Sequence, residues 1–141
     1  MRQQYESQQD LHNEQTVSGV LQQAWKIAVH KLPISYKVDF VAMREGKAKA
    51  VIEIKSRKAK HDQYPTLLLS LSKWNHGIDY VKCNGLDFLI VAQYEDGIYY
   101  HKYSDDDEFD IRWGGRTSKT RGSADVEPVI HIPTSVMRKV A

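Results

Sequence analysis

Between residues 10 and 30, Val17, Val20, Leu21, Ala24 and Ala28 recur at helical spacing among polar neighbours. That stripe predicts an amphipathic helix, with Asp10 or Asn13 as candidate caps and Pro33 as its stop. Residues 36–43 and 47–55 then alternate with period 2 around Arg44-Glu45-Gly46, the pattern of a β-hairpin. Residues 56–63 form a basic loop. Pro65 suits the first turn of a second helix, whose apolar stripe reads Leu67, Leu71, Trp74 and Ile78. The run Phe88-Leu89-Ile90-Val91-Ala92 predicts a strand buried on both faces. Asp96-Gly97 signals a hairpin, with residues 98–103 as its return strand. Residues 104–127 show no period and read as a loop region. They are followed by a short strand at 129–132 and a helical turn or two at 135–140. Residues 1–9 form a polar lead-in. The expected order is α-β-β-α-β-β, an α/β fold with one mixed central sheet flanked by helices.

The register of the first hairpin decides which side chains meet. A three-residue loop with Gly46 in the left-handed position pairs Met43 with Lys47. One face then collects Val38, Phe40, Ala42, Ala48, Ala50, Ile52 and Ile54, all apolar. The other collects Lys37, Asp39, Val41, Lys49, Val51, Glu53 and Lys55. A slip by one residue would mix the sets, which is unfavourable where one face is buried. In this register Asp39 opposes Val51 and lies diagonal to Glu53, within reach of a shared ion.

The length of 141 residues fits a single domain, 1–141, large enough to hold a core without staples. Cys83 is the one cysteine, which excludes a disulfide framework or a multi-cysteine zinc site and suits a reducing compartment. No apolar run approaches the length of a membrane span and the first residues are polar, so the expectation is a cytoplasmic protein with no membrane partner. Twenty Lys and Arg stand against 18 Asp and Glu, a net charge of +2 that excludes only a uniformly basic binder. The charges are segregated. Lys47, Lys49, Lys55, Arg57, Lys58 and Lys60 crowd one stretch, and Arg112, Arg116, Lys119 and Arg121 another, while acids gather at 105–110. Local basic patches of this kind are the electrostatic footprint of a nucleic-acid binder.

Two carboxylates held close repel unless a cation sits between them. Mg²⁺ takes oxygen ligands and is held by one or two carboxylates together with substrate phosphate. Lys55, two residues beyond Glu53 on the same face, is placed to orient a water or to neutralise charge on a phosphoryl transition state. An Asp in mid-strand also asks for a reason, since strands disfavour it. Asp39 followed by Glu53-Ile54-Lys55 on the next strand resembles the signature of the PD-(D/E)XK nuclease superfamily, and the element order resembles its restriction-endonuclease-like αββαβ core. Val38 stands where that family commonly has Pro. The tail, with Trp113-Gly114-Gly115-Arg116 and Glu127-Pro128-Val129-Ile130-His131-Ile132-Pro133, is similar to small phage-encoded nucleases of the superfamily.

The resemblance implies a Mg²⁺-dependent nuclease that hydrolyses DNA phosphodiesters inside a host cell, with Mn²⁺ able to substitute. The metal ligands would be Asp39, Glu53 and the Ile54 carbonyl, and Lys55 would assist the attacking water. Many members add a Glu from the first helix. Glu14, which continues the buried stripe three residues before Val17, is the best match, ahead of Glu6. Candidate DNA contacts are Arg57, Lys58, Lys73, Arg116, Lys119 and Arg121. Two alternatives stay open: a Holliday-junction-type resolvase working as a homodimer, and a nucleic-acid-binding module of the same fold without catalysis. The acidic run at 105–110 lacks calcium-loop spacing and reads as a solvated turn. The six histidines are scattered without metal spacing.

Overall fold

The computed structural model describes residues 8–115 and 126–140. Helix α1 (Gln8–Trp25) is followed by strand β1 (Ala28–Lys31), a 3₁₀ turn (Ile34–Tyr36), β2 (Phe40–Arg44), β3 (Lys47–Ser56) and β4 (Thr66–Ser70). Helix α2 (Leu71–Asn84), β5 (Asp87–Tyr94), β6 (Gly97–Lys102), β7 (Asp110–Gly115), β8 (Val126–Pro133), a second 3₁₀ turn (Thr134–Val136) and β9 (Arg138–Lys139) complete it. Six strands form one mixed sheet in the order β1-β2-β3-β5-β6-β9, in which β3 and β5 run parallel. A second sheet has the order β4-β8-β7.

Each face of the large sheet holds its own core. Val17 and Leu21 of α1 are fully buried against Phe40, Ala42, Ala50, Ile52, Ile54, Val91 and Ile98. On the opposite face, Val51, Phe88, Ile90, Ala92, Tyr94 and Tyr99 pack under Trp74 of α2 and under Leu67, Leu69, Ile130 and Ile132 of the small sheet. Phe88 reaches the helix because Gly77 has no side chain; a Cβ there would collide with the ring. Tyr99 and, in part, Tyr103 pack into this core, and Cys83 is exposed.

Several expectations need correction. The first helix stops at Trp25, and Lys26 takes a left-handed φ of 56°. The segment expected to stay helical to residue 30 is β1, pairing Val29 with Ala42 and Lys31 with Phe40. The edge of the hairpin supplies a ladder that overrides local helix preference. Pro65 does not open a helix either. Leu67 and Leu69 are buried while Leu68 is exposed, a strand alternation, and α2 begins only after Ser70, whose Oγ accepts from Lys73 N at 3.3 Å. In the region read as loop, 110–115 forms β7, which pairs with β8, the strand expected at 129–132 and formed over 126–133. Ile111 and Trp113 point outward and Gly114 fits against Val129, so no inward apolar rhythm was there to read. The final residues form a 3₁₀ turn and β9 on the sheet edge, in place of a helical turn.

The hairpin forms with a different turn and register. Arg44 pairs with Lys47 around a two-residue turn in which Glu45 (φ 53°) and Gly46 (φ 77°) are both left-handed, the pattern of a type I′ turn. A bulge then shifts the pairing between Ala42 and Met43, so that Phe40 opposes Ile52. Val51 accordingly opposes Val41 rather than Asp39, and Asp39 bonds through its N–H to Ile52 O and through its carboxylate to Ile54 N, on either side of Glu53. Asp39 lies just outside β2, and Val38 turns to the α2 side rather than joining Phe40.

Candidate active site

Glu53 sits in the middle of β3, between β2 and β5, and is fully buried. Asp39 is 9% exposed and enters β2 beside it. Its N–H donates to Ile52 O at 3.1 Å, and its Oδ2 accepts from Ile54 N at 2.8 Å. Asp39 thus extends the β2–β3 contact past the strand's first residue, its N–H holding the backbone on one side of Glu53 and its carboxylate the backbone on the other. That local bonding is why Asp is tolerated here.

Two ammonium groups converge on Glu53. Lys73 Nζ, from the first turn of α2, lies 2.9 Å from Oε2, and Lys55 Nζ lies 3.5 Å from the same oxygen. Glu53 Oε1 is buried and has no hydrogen-bond partner. Burial, reinforced by the Asp39 charge, raises the Glu53 pKa to about 7 against the pull of Lys55 and Lys73. Burial lowers the Lys55 pKa, although Glu53 opposes that shift. Burial also acts to lower that of Lys73, but Glu53 and Asp39 outweigh it and hold that ammonium above its ordinary value.

Glu14 of α1 is 8% exposed and comes to the same region, as expected from its place on the helical stripe. Lys31 stands between it and Asp39, 2.7 Å from Glu14 Oε1 and 3.9 Å from Asp39 Oδ1. Sequence reading missed Lys31, because β1 was taken for helix. The signal that could have found it is the alternation of Ile27, Val29 and Lys31, which marks a strand. With this lysine interposed, the oxygens of Glu14, Asp39 and Glu53 do not gather as closely as three other groups do. His61, Asp62 and Asp96 bring three potential ligand atoms within 4.8 Å of one another, and none of them belongs to the Asp39–Glu53 site. His61 is already paired to Asp96 at 2.7 Å and stacked on Tyr99.

The remaining predicted contacts divide. Lys73 belongs to the carboxylate site itself. Arg57 is exposed but tied down, donating to Ser56 O at 2.9 Å and Leu68 O at 3.3 Å. Lys58 is exposed beside it. Arg116, Lys119, Arg121 and the weaker candidate Glu6 lie outside the described residues.

The donor set suits a hard cation. It offers a bare, buried carboxylate oxygen on Glu53, a second carboxylate beside it on Asp39, and the carbonyl of Ile54, which stands between Glu53 and Lys55 in sequence. A buried carboxylate oxygen without a partner is unfavourable, and a divalent ion would satisfy it.

The family model described as phage putative PDDEXK endonuclease matches residues 1–140. The chain belongs to that family. It is therefore assigned as a nuclease, and the Asp39, Glu53-Ile54-Lys55 pattern falls within the matched span. No curated protein matches the sequence. Among solved structures, Hjc from Archaeoglobus fulgidus, a Holliday junction resolvase of an archaeal hyperthermophile, is similar over 92% of this chain and 93% of its own, at 18% identity and a TM-score of 0.58. This PDDEXK protein thus has the restriction-endonuclease-like fold expected from its sequence. No helix among the described residues is long and apolar enough to cross a membrane.

Proposed function

We propose that the chain is a divalent-metal-dependent endonuclease that hydrolyses DNA phosphodiesters at Asp39, Glu53 and Lys55. One observation carries the reading: Glu53 is fully buried beside Asp39, with two lysines on one oxygen and nothing on the other. A structural ion pair would satisfy both oxygens. A site built to receive a cation leaves one bare.

Asp39, Glu53 and the Ile54 carbonyl would hold Mg²⁺, with Mn²⁺ as a substitute. When bound, the ion supplies Lewis acidity toward a phosphoryl oxygen. Asp39 orients the Glu53 segment through its bond to Ile54 N, and Lys73 favours the ionised form of Glu53. Lys55, held near Glu53 and with its ammonium weakened by burial, positions the attacking water and offsets charge growing on the phosphoryl oxygens. Glu14 acts from α1 through Lys31, which links it to Asp39. Arg57 and Lys58 receive the DNA backbone.

The test is cleavage of linear, circular, single-stranded and four-way-junction DNA with Mg²⁺, beside Glu53→Ala and Asp39→Ala. Both variants should stay folded and lose metal-dependent cleavage. Undiminished cutting by both would remove the assignment. The fold likeness to Hjc makes branched DNA the specific second reading. Preferential cutting of the junction by a dimeric species would favour it.

A further inference from the structure

A cavity of about 460 Å³ opens between the 57–65 segment and the start of β4, and its lining begins at Arg57, two residues past Lys55. That is the size range of small-ligand sites. Its lining is divided by chemistry. Leu67, Leu68, Pro65 and Ala59 give an apolar floor, Tyr64 and Tyr94 add two rings, and Arg57, Lys58 and Lys60 add three permanent cations. His61 and His131 also line it, and among the described residues no lining side chain is a carboxylate. Two acids, Asp62 and Asp96, stand at the His61 end of the wall, and Asp96 is engaged by His61 at 2.7 Å.

The rim is partly fixed in advance. Arg57 bridges the end of β3 and β4 through its bonds to Ser56 O and Leu68 O. A guanidinium has five N–H donors, and these bonds use two. Thr66 Oγ1 lies 3.2 Å from His131 Nδ1 and steadies that ring. Tyr64 is 60% exposed, a large aromatic face held open at the mouth rather than packed. Arg57 follows Lys55 by two residues, about 7 Å along the strand direction.

We propose that this cavity receives one unpaired nucleotide of the DNA substrate, turned out of the stack, next to the phosphodiester that is cut. Its phosphate lies on Arg57, Lys58 and Lys60, and its base lies against Tyr64 over the apolar floor. An anion joined to a flat apolar ring matches a cationic rim joined to an apolar, aromatic floor. Proteins that hold extruded or single-stranded bases use this combination. The site rests on the reading of the chain as a DNA nuclease, and the spacing from Lys55 places the extruded nucleotide one or two positions from the cleaved bond.

The experiment compares binding of a paired duplex with that of the same duplex carrying one extra, unpaired nucleotide, by fluorescence anisotropy in EDTA. The unpaired nucleotide removes the unstacking penalty, so wild-type protein should bind the bulged duplex about tenfold more tightly. Tyr64→Ala and the double variant Lys58→Glu/Lys60→Glu should lose that preference at unchanged melting temperature. Equal wild-type binding of the two duplexes, no binding of either, or a preference retained by both variants would overturn the pocket. Cleavage with Mg²⁺, run in parallel, separates the two readings. Cutting without a bulge preference keeps the nuclease and removes the pocket. A preference lost in the variants, with no cutting of any DNA, keeps the pocket and removes the nuclease.

Discussion

Lys73 Nζ donates to Glu53 Oε2 at 2.9 Å, tying the first turn of α2 to the most buried acid of the sheet. The bond favours the carboxylate over the carboxylic acid and so opposes the effect of burial. Lys73→Met should therefore push the Glu53 pKa further above about 7. If ionised Glu53 holds the metal, the acid limb of the Mg²⁺-dependent rate should move to higher pH in this variant, with activity partly recovered by raising pH. A uniform loss at every pH would point instead to a structural or substrate-binding role for Lys73.

Burial of Glu53 also makes the metal-free protein pH-sensitive. Its folded pKa of about 7 lies above the ordinary 4.5. Between those values the native state binds more protons than the unfolded chain, so this group's contribution weakens stability as pH rises through that window. The full shift corresponds to roughly 3 kcal/mol. Chemical denaturation in EDTA at pH 5 and pH 8 should show Glu53→Gln losing less stability on going to pH 8 than wild type does. Added Mg²⁺ should stabilise wild type more at pH 8 than at pH 5, and should do little for Glu53→Gln at either.

Much of this site was legible in the sequence because strand parity survives error. Asp39, Glu53 and Lys55 could be assigned together from alternation alone, and the helical stripe through Val17 and Leu21 carried Glu14 toward them. The details failed where tertiary pairing outweighed local pattern. Three residues of Arg44-Glu45-Gly46 suit a longer loop, but the formed hairpin closes on two and shifts again at a bulge, so that Val51 opposes Val41 and Asp39 bonds to the backbone of Ile52 and Ile54 on either side of Glu53. Lys31 was missed because its four-residue strand is held by pairing with β2, and the short Ile27, Val29, Lys31 alternation is outweighed by the helical stripe before it. Leu67 and Leu71 share helical spacing but occupy a strand and a helix, separated by the Ser70 cap.

That cap gives a further test. Ser70 Oγ accepts from Lys73 N at 3.3 Å, so one hydroxyl both starts α2 and seats the backbone of the lysine that reaches Glu53. Ser70→Ala should cost about 1 kcal/mol. Ser70→Asp restores an acceptor and should recover most of it, measured as urea midpoints of the two variants. Equal stability of Ser70→Ala and wild type would show that the cap does not hold the helix start.

Close approach of α2 to the sheet depends on Gly77 and Phe88. The ring of Phe88 is fully buried and occupies the space a Cβ on Gly77 would need. Gly77→Ala gains helix propensity, but overpacking a closed core costs about 1–3 kcal/mol. The expected outcome is a lower melting temperature. The double variant Gly77→Ala/Phe88→Leu should recover part of the loss by making room, and additive losses would show that the two positions do not share this contact.

The turn at Glu45-Gly46 closes the hairpin that brings Asp39 beside Glu53. Both residues have positive φ, which only Gly adopts without strain and Asn tolerates better than Glu. Gly46→Ala should cost about 1–2 kcal/mol. Glu45→Asn, which creates the Asn-Gly pair favoured in such turns, should add stability. Both positions lie at the far end of the hairpin from Glu53, and the bulge between them and the site is the only irregularity in that pairing. Cleavage per folded molecule should therefore be unchanged in Glu45→Asn, while its thermal midpoint rises. A fall in specific activity without loss of fold would mean that the turn, and not the bulge, holds the carboxylates in register.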